Sequence, residues 1–202
     1  MNVTDPIRRV SVVSTGQVQI RPDHVASTWR PTSVWLLASR TWTGPRPISQ
    51  AEWDTLSSPL PELRGLMRRH IDLPGLRWRR VTPEPTQDPG LAPFRSGHDL
   101  FGDGSLVVLP TPGHTPGSIS LLVRRPGLPP LMMVGDVTYD AHVLEAGHVP
   151  GVGNRRHLRQ ATAMVNQMRQ RHPGLAILPA HDPGAADRLA QATGQAPTLA
   201  SA

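Results

Sequence analysis

Three short loops in the second half of the chain each carry a side chain able to bind a metal or move a proton. They are Thr111-Pro112-Gly113-His114-Thr115-Pro116-Gly117, Gly135-Asp136-Val137-Thr138-Tyr139 and Pro179-Ala180-His181-Asp182-Pro183. Two imidazoles and a carboxylate form a donor set that suits zinc, iron or manganese. Cysteine is absent, which excludes thiolate sites and disulfides within this chain. Taken singly, each residue has a plainer reading. His114 between turn residues reads as a surface histidine, Asp136 as a turn or cap aspartate, and His181 as an ordinary loop histidine. Their recurrence after three strand-like runs is what joins them.

Those runs are 105–109 (SLVVL), 131–134 (LMMV) and 175–178 (LAIL), each ending directly before one of the loops. In open α/β sheets, functional groups collect at strand ends. A further apolar run, 118–123 (SISLLV), predicts a strand that follows the His114 loop. Asn154 is placed to cap an amphipathic helix, with Leu158, Ala161, Met164, Val165 and Met168 on one face and Pro173-Gly174 as its stop.

Toward the N-terminus, 10–13 and 18–20 are β-branched runs around Ser14-Thr15-Gly16, which predicts a hairpin. Residues 33–39 (SVWLLAS) predict another strand, and 41–47 (TWTGPRP) a loop. Ser49 and Glu52 have capping-box spacing, so a helix is expected to start there. Pro61 is expected to open a second, with Leu63, Leu66 and Met67 on one face. The Pro-rich stretch 81–93 reads as a surface loop, and 191–202 as a flexible tail.

The chain has 202 residues, which predicts a single domain. Its net charge is +6, and all 21 basic residues are arginine. They are scattered in singles and pairs without interleaved aromatics, so no nucleic-acid partner is expected. The N-terminus lacks the apolar core of a secretory signal, and no apolar run approaches a membrane span. The expectation is a cytoplasmic protein with no membrane partner.

TPGHTPGS before an apolar strand, then GD with Tyr139 three residues on, then an apolar strand ending in His-Asp, resembles the C-terminal half of the metallo-β-lactamase superfamily. Within it, the likeness is to the N-acyl homoserine lactonase-like branch. It covers 49–190, and VSVVSTGQVQI and SVWLLASR resemble the family's opening strands within 1–47. The resemblance implies an α/β fold, a truncated αββα sandwich with mixed sheets. It implies that His114 binds one metal, that Asp136 bridges two, and that His181 binds the second. Tyr139 stands where lactonases place a Tyr that polarises the substrate carbonyl. His142, just beyond, is a candidate substrate contact. The reaction so implied is metal-assisted hydrolysis of a lactone or similar ester.

One departure matters. The family's His-x-His-x-Asp-His signature, expected between the opening strands and the helix near Ser49, is absent, and the text reads as an internal deletion near 47–49. His114 and His181 then keep only themselves and the shared Asp136. That leaves a site for one ion at most and an impaired hydrolase. The alternative is a non-catalytic remnant that binds a small molecule or a protein. Unpartnered strand edges would favour a homodimer.

Overall fold

The computed structural model describes residues 7–19, 29–39 and 45–194, the first two stretches and His70 by backbone alone. The elements in chain order are β1 (Ile7–Gln19), β2 (Trp29–Ser39), β3 (Arg46–Ser49), α1 (Gln50–Leu56), a 3-10 turn at Pro61–Arg64, α2 (Arg68–Ile71), β4 (Trp78–Val81) and β5 (Glu84–Pro85). After a 3-10 turn at Pro89–Leu91 come β6 (Ser96–Asp99), β7 (Leu106–Pro110), β8 (Ile119–Val123), β9 (Leu131–Gly135), α3 (Ala141–Glu145), α4 (Arg155–Arg171), β10 (Ala176–Pro179) and α5 (Ala185–Thr193).

β5 to β10 form one six-stranded sheet in the order β10-β9-β8-β7-β6-β5. β10 pairs parallel with β9 and the other neighbours are antiparallel, so the sheet is mixed. Side chains alternate across it as strand geometry requires. Val107, Leu109, Leu122, Met132, Val134 and Ile177 face a core shared with Leu144 of α3 and with Ala161, Val165 and Met168 of α4. Leu106, Val108, Val123, Leu131, Met133 and Leu178 face the other way, onto Ala185 and Leu189 of α5 and Val81 of β4. Both faces are covered, which is why these strands read as continuous apolar runs instead of alternating ones. Each fully buried leucine of this kind contributes roughly 1.5–3 kcal/mol by leaving water.

α4 fits its sequence pattern. The Asn154 side chain accepts from the backbone N–H of Arg156 and His157, both at 3.1 Å. Leu158, Ala161, Thr162, Val165 and Met168 are its buried stripe. Ser49 caps α1 as expected, its hydroxyl accepting from Glu52 N–H at 3.0 Å.

Four expectations are corrected. Ser14-Thr15-Gly16 is no hairpin turn: it lies inside β1, which pairs antiparallel with β2, and there the register shifts between Ser14 and Gly16 as at a bulge. Ile20 and 41–44 lie outside the described residues. Pro47 belongs to a strand, since β3 pairs parallel with β4 in a separate two-stranded sheet, where every strand is an edge that tolerates proline. The stripe after Pro61 does not form. Leu66 is buried, while Leu63 is 81% and Met67 50% exposed, because a 3-10 turn cannot hold a 3.6-residue period. The stretch 81–93 is no mere surface loop either, for Val81 and Leu91 are core residues. Among the described residues no helix is long and apolar enough to cross a membrane.

Candidate active site

The three loops meet at one end of the six-stranded sheet. β7, β9 and β10 end there, and β8 begins there. His181 Nε2 lies 3.0 Å from Asp136 Oδ1, and His114 Nε2 lies 3.6 Å from Asp136 Oδ2. The carboxylate therefore stands between two imidazoles, one to each oxygen. Asp136 Oδ1 is buried, and among the described residues no donor is aligned to hydrogen-bond it. Burial pushes the Asp136 carboxyl up, but the His181 contact and the neighbouring charges of His114 and His181 outweigh it and hold it below the usual carboxylate range. Tyr139 packs edge-on against His181, with ring centroids 5.4 Å apart. Burial, with Asp136 adding to it, pushes the Tyr139 hydroxyl up to about 12.

The His114 loop is held from two sides. Glu52 of α1 accepts the Thr115 hydroxyl at 2.7 Å and Gly117 N–H at 2.9 Å. The Ser49 hydroxyl donates to Gly117 O at 2.6 Å. On the other side, Asn154 N–H donates to Gly113 O at 2.7 Å. Two glycines make this close approach possible. A Cβ on Gly117 would sit 2.1 Å from Glu52 N, and one on Gly113 would sit 2.8 Å from Leu158 of α4. His114 Nδ1 is buried without a partner among the described residues, whereas ligating histidines usually donate from their second nitrogen.

The other two loops are joined by Asp182. It is buried, at 8% exposure, and accepts Ala141 N–H and Gly184 N–H, each at 2.8 Å, and the Arg188 guanidinium. Arg188 also donates to Ile177 O at 3.0 Å, so the loop after β10 is tied to its own strand and to the start of α3. Asp140 caps α3, accepting His142 N–H at 2.7 Å, which fixes the turn that carries Tyr139.

The structure thus brings His114, Asp136, His181 and Tyr139 together. It does not bring in His142, which is exposed on α3 and whose imidazole makes no hydrogen bond or ion pair with the trio. Sequence reasoning missed Asp182 and Glu52 as supports. The His-Asp step at 181–182 was the available signal for the first, while Glu52 reads from sequence only as a capping residue.

Two ligands of one tetrahedral ion, each about 2.0–2.1 Å from it, stand about 3.3 Å apart. The separations of 3.0 and 3.6 Å bracket that value, so each imidazole–carboxylate pair is spaced as two ligands of one ion. Yet among the described residues no group of three or more His, Asp or Glu side chains gathers so as to hold a metal. The donors fit in kind and in pairwise spacing, and fall short in number.

No family model matches the chain. It is 39% identical over 87 residues to the N-acyl homoserine lactonase AttM of Rhizobium radiobacter, a match that covers 43% of this chain and 30% of the relative. It is 29% identical over 135 residues to the enzyme of that name in Azorhizobium caulinodans, covering 64% of this chain and 46% of the relative. The chain thus spans less than half the length of these curated relatives. Among solved structures, a B. thuringiensis AiiA variant with N-decanoyl-L-homoserine at its active site has TM-score 0.65 at 12% identity, over 88% of this chain and 94% of that one. A quorum-quenching N-acyl homoserine lactone lactonase gives TM-score 0.65 at 14% identity, over 91% and 95%. The chain therefore has the metallo-β-lactamase fold, in the form shared by the N-acyl homoserine lactonases it is similar to.

Proposed function

We propose that the chain carries half of a hydrolytic metal centre for a lactone or similar ester, with His114, Asp136 and His181 as metal ligands and Tyr139 as the group that polarises the substrate carbonyl. The observation that carries this is the placing of Asp136 between two imidazoles at ligand spacing. A zinc, iron or manganese ion held there would supply Lewis-acid activation of an ester carbonyl and of water.

The chain's own residues do the rest. Asp136, held below the usual carboxylate range, stays ionised near neutral pH and is always available as a donor. Tyr139, raised to about 12, stays protonated, so its O–H donates to a carbonyl oxygen and does not act as a base. With the His-x-His-x-Asp-His segment missing from the sequence, each metal position keeps one imidazole and one carboxylate oxygen. Occupancy of one ion at most and slow turnover follow. The relatives named as N-acyl homoserine lactonases make such a lactone the first substrate to try.

The test is metal content of the purified chain by mass spectrometry, with lactone turnover measured alongside. About one equivalent of metal, lost together with turnover in His114→Ala or Asp136→Ala, is the expected result. Absence of metal after reconstitution would overturn it. That outcome would favour the second reading, a non-catalytic binding module, which draws on the lack of any three-ligand group among the described residues.

A further inference from the structure

A cavity of about 570 Å³ opens beside His114, lined by two segments that pack on the His114 loop. One is the 3-10 turn Pro61–Arg64 with Gly65, its left-handed end, where a Cβ would stand 3.8 Å from Thr115 Cγ2. The other is the stretch just before α4, where a Cβ on Gly153 would overlap Gly113 O and stand 2.8 Å from His114 Cα. The first segment contributes Leu63 and Arg64 to the wall, the second contributes Val152, and α4 adds His157.

The titratable groups of this wall are all bases. Arg64, His114 and His157 line it, and no carboxylate does. Several other arginines have acceptors: Arg68 donates to Leu56 O and Ser58 O, Arg124 pairs with Asp88, and Arg188 pairs with Asp182. Arg64 is exposed and makes neither a hydrogen bond nor an ion pair among the described residues. Glu62, close to it in sequence, is exposed and stands outside the wall. Glu52, which touches the same loop, has both oxygens committed to Thr115 and Gly117. The imbalance extends past the wall. From Ala146 to His181 the chain has no acidic residue, while Arg155, Arg156 and Arg159 are exposed at the start of α4 and enter no ion pair among the described residues.

Unmatched positive charge around a cleft concentrates anions and repels cations. A wholly apolar acyl arm would find Leu63 and Val152 and leave Arg64 unused, whereas an arm with a methylene run and an anionic end would use all three. A solvated guanidinium that is free of other acceptors gives such an end a charge-assisted hydrogen bond without first breaking a pair. We propose that the substrate of this site is a lactone or similar ester whose acyl arm carries an anionic group, with Arg64 as its charge partner and the residue that sets this specificity. The proposal rests on the reading of His114 as a ligand of the hydrolytic centre.

The experiment uses two N-acyl homoserine lactones of equal arm length, one ending in a carboxylate and its twin in a neutral carboxamide. Dissociation constants are read by calorimetry on the purified full chain before metal is added, and kcat/KM on the chain after metal is added. The carboxylate form is expected to bind about fivefold more tightly than its twin, the scale of one exposed ion pair, and that ratio is expected to shrink as sodium chloride is raised. In Arg64→Met the ratio falls to about one, and in Arg64→Glu below one. Arg171→Met, at the far end of α4, removes the same net charge and keeps the parent's ratio. A ratio of one in the parent, no detectable binding of either compound, or a preference that survives Arg64→Met overturns the proposal. Turnover of both lactones with no preference overturns this proposal alone. A preference carried by Arg64 without turnover of either lactone overturns the hydrolytic reading and keeps Arg64 as the charge partner of an anionic ligand.

Discussion

The two imidazoles beside Asp136 are held in different ways. His181 stands 3.0 Å from the carboxylate with its side chain 15% exposed and Tyr139 against its ring. Its loop is tied by its own neighbour, Asp182, to the strand it leaves and to the loop of Tyr139. His114 stands 3.6 Å away, 26% exposed, with its second ring nitrogen unpartnered among the described residues. Its loop is tied by Glu52, a residue of α1 more than sixty positions earlier in the chain. The His181 arm is thus built within the C-terminal half, whereas the His114 arm depends on the element that follows the opening strands. On the proposed reading an ion would meet a better-formed pair at His181, and damage near α1 should reach His114 first.

The largest effect is expected from Asp182→Ala. It removes a buried carboxylate that serves two backbone N–H groups and leaves Arg188 without its partner, at a cost of about 3 kcal/mol in unfolding free energy. Chemical denaturation measures this. A loss under about 1 kcal/mol would mean that the His181 arm is no better braced than the other. Glu52→Ala comes next. It deletes two hydrogen bonds to a partly buried carboxylate, so the expected stability loss is about 1–2 kcal/mol, with metal affinity weakened about 10-fold by a slackened His114 loop. Glu52→Gln, which keeps an acceptor for Thr115 but loses the one for Gly117, should fall between. Unchanged metal affinity in both variants would break the link between α1 and His114.

Tyr139→Phe sharpens the comparison by acting on substrate alone. The ring and its packing on His181 remain, so stability and metal content should hold within error. Lactone turnover should drop about 100-fold or more, the scale of one lost donor to a developing oxyanion. Because the hydroxyl is raised to about 12, the parent should show no Tyr-linked loss of activity between pH 7 and 10. A downturn near pH 10 that vanishes in Tyr139→Phe would place the hydroxyl in water instead of in the site.

The asymmetry also explains what could be read in advance. The loops of His114, Asp136 and His181 were legible because each is local, a few turn residues after a strand whose apolar run betrays two covered faces. The Asn154 and Ser49 caps were legible for the same reason. Glu52 was not, since Ser-x-x-Glu spacing describes a carboxylate that caps its own helix, and here it reaches to Thr115 and Gly117. Nor is the role of Asp182 legible, because nothing local reveals that Ala141 N–H lies beside it. Ser14-Thr15-Gly16 failed as a turn because the residues that make hairpins also make bulges, and the partner strand decides. Val81 and Leu91 were hidden among prolines, where single apolar anchors carry no period.

The smallest effect is expected at the far end of the sheet, where the ties are exposed. Asp88 pairs with Arg124 at 2.7 Å, and the two side chains are 35% and 32% exposed. Burial pushes the Asp88 carboxyl up, but hydrogen bonds from Arg124 and Gly90 N–H, helped by the charges of Arg124 and His172, bring it below 3.8. A carboxyl lowered in the folded state binds its proton less readily there than in the unfolded chain. Its stabilisation is therefore complete above pH 3.8 and fades as the pH falls through and below that value. Solvent screening limits the pair to about 0.5–1 kcal/mol. Asp88→Asn should accordingly lower stability by that amount at pH 7 and by less near pH 2. Denaturation curves of parent and variant at both pH values, with and without 1 M sodium chloride (a salt level that shrinks the Debye length to about 3 Å), would read it. A gap that persists undiminished at pH 2 would mean that the Gly90 turn, and not the charge, is what Asp88 supplies. This end of the sheet would then be braced by backbone geometry, as the site end is at Asp182.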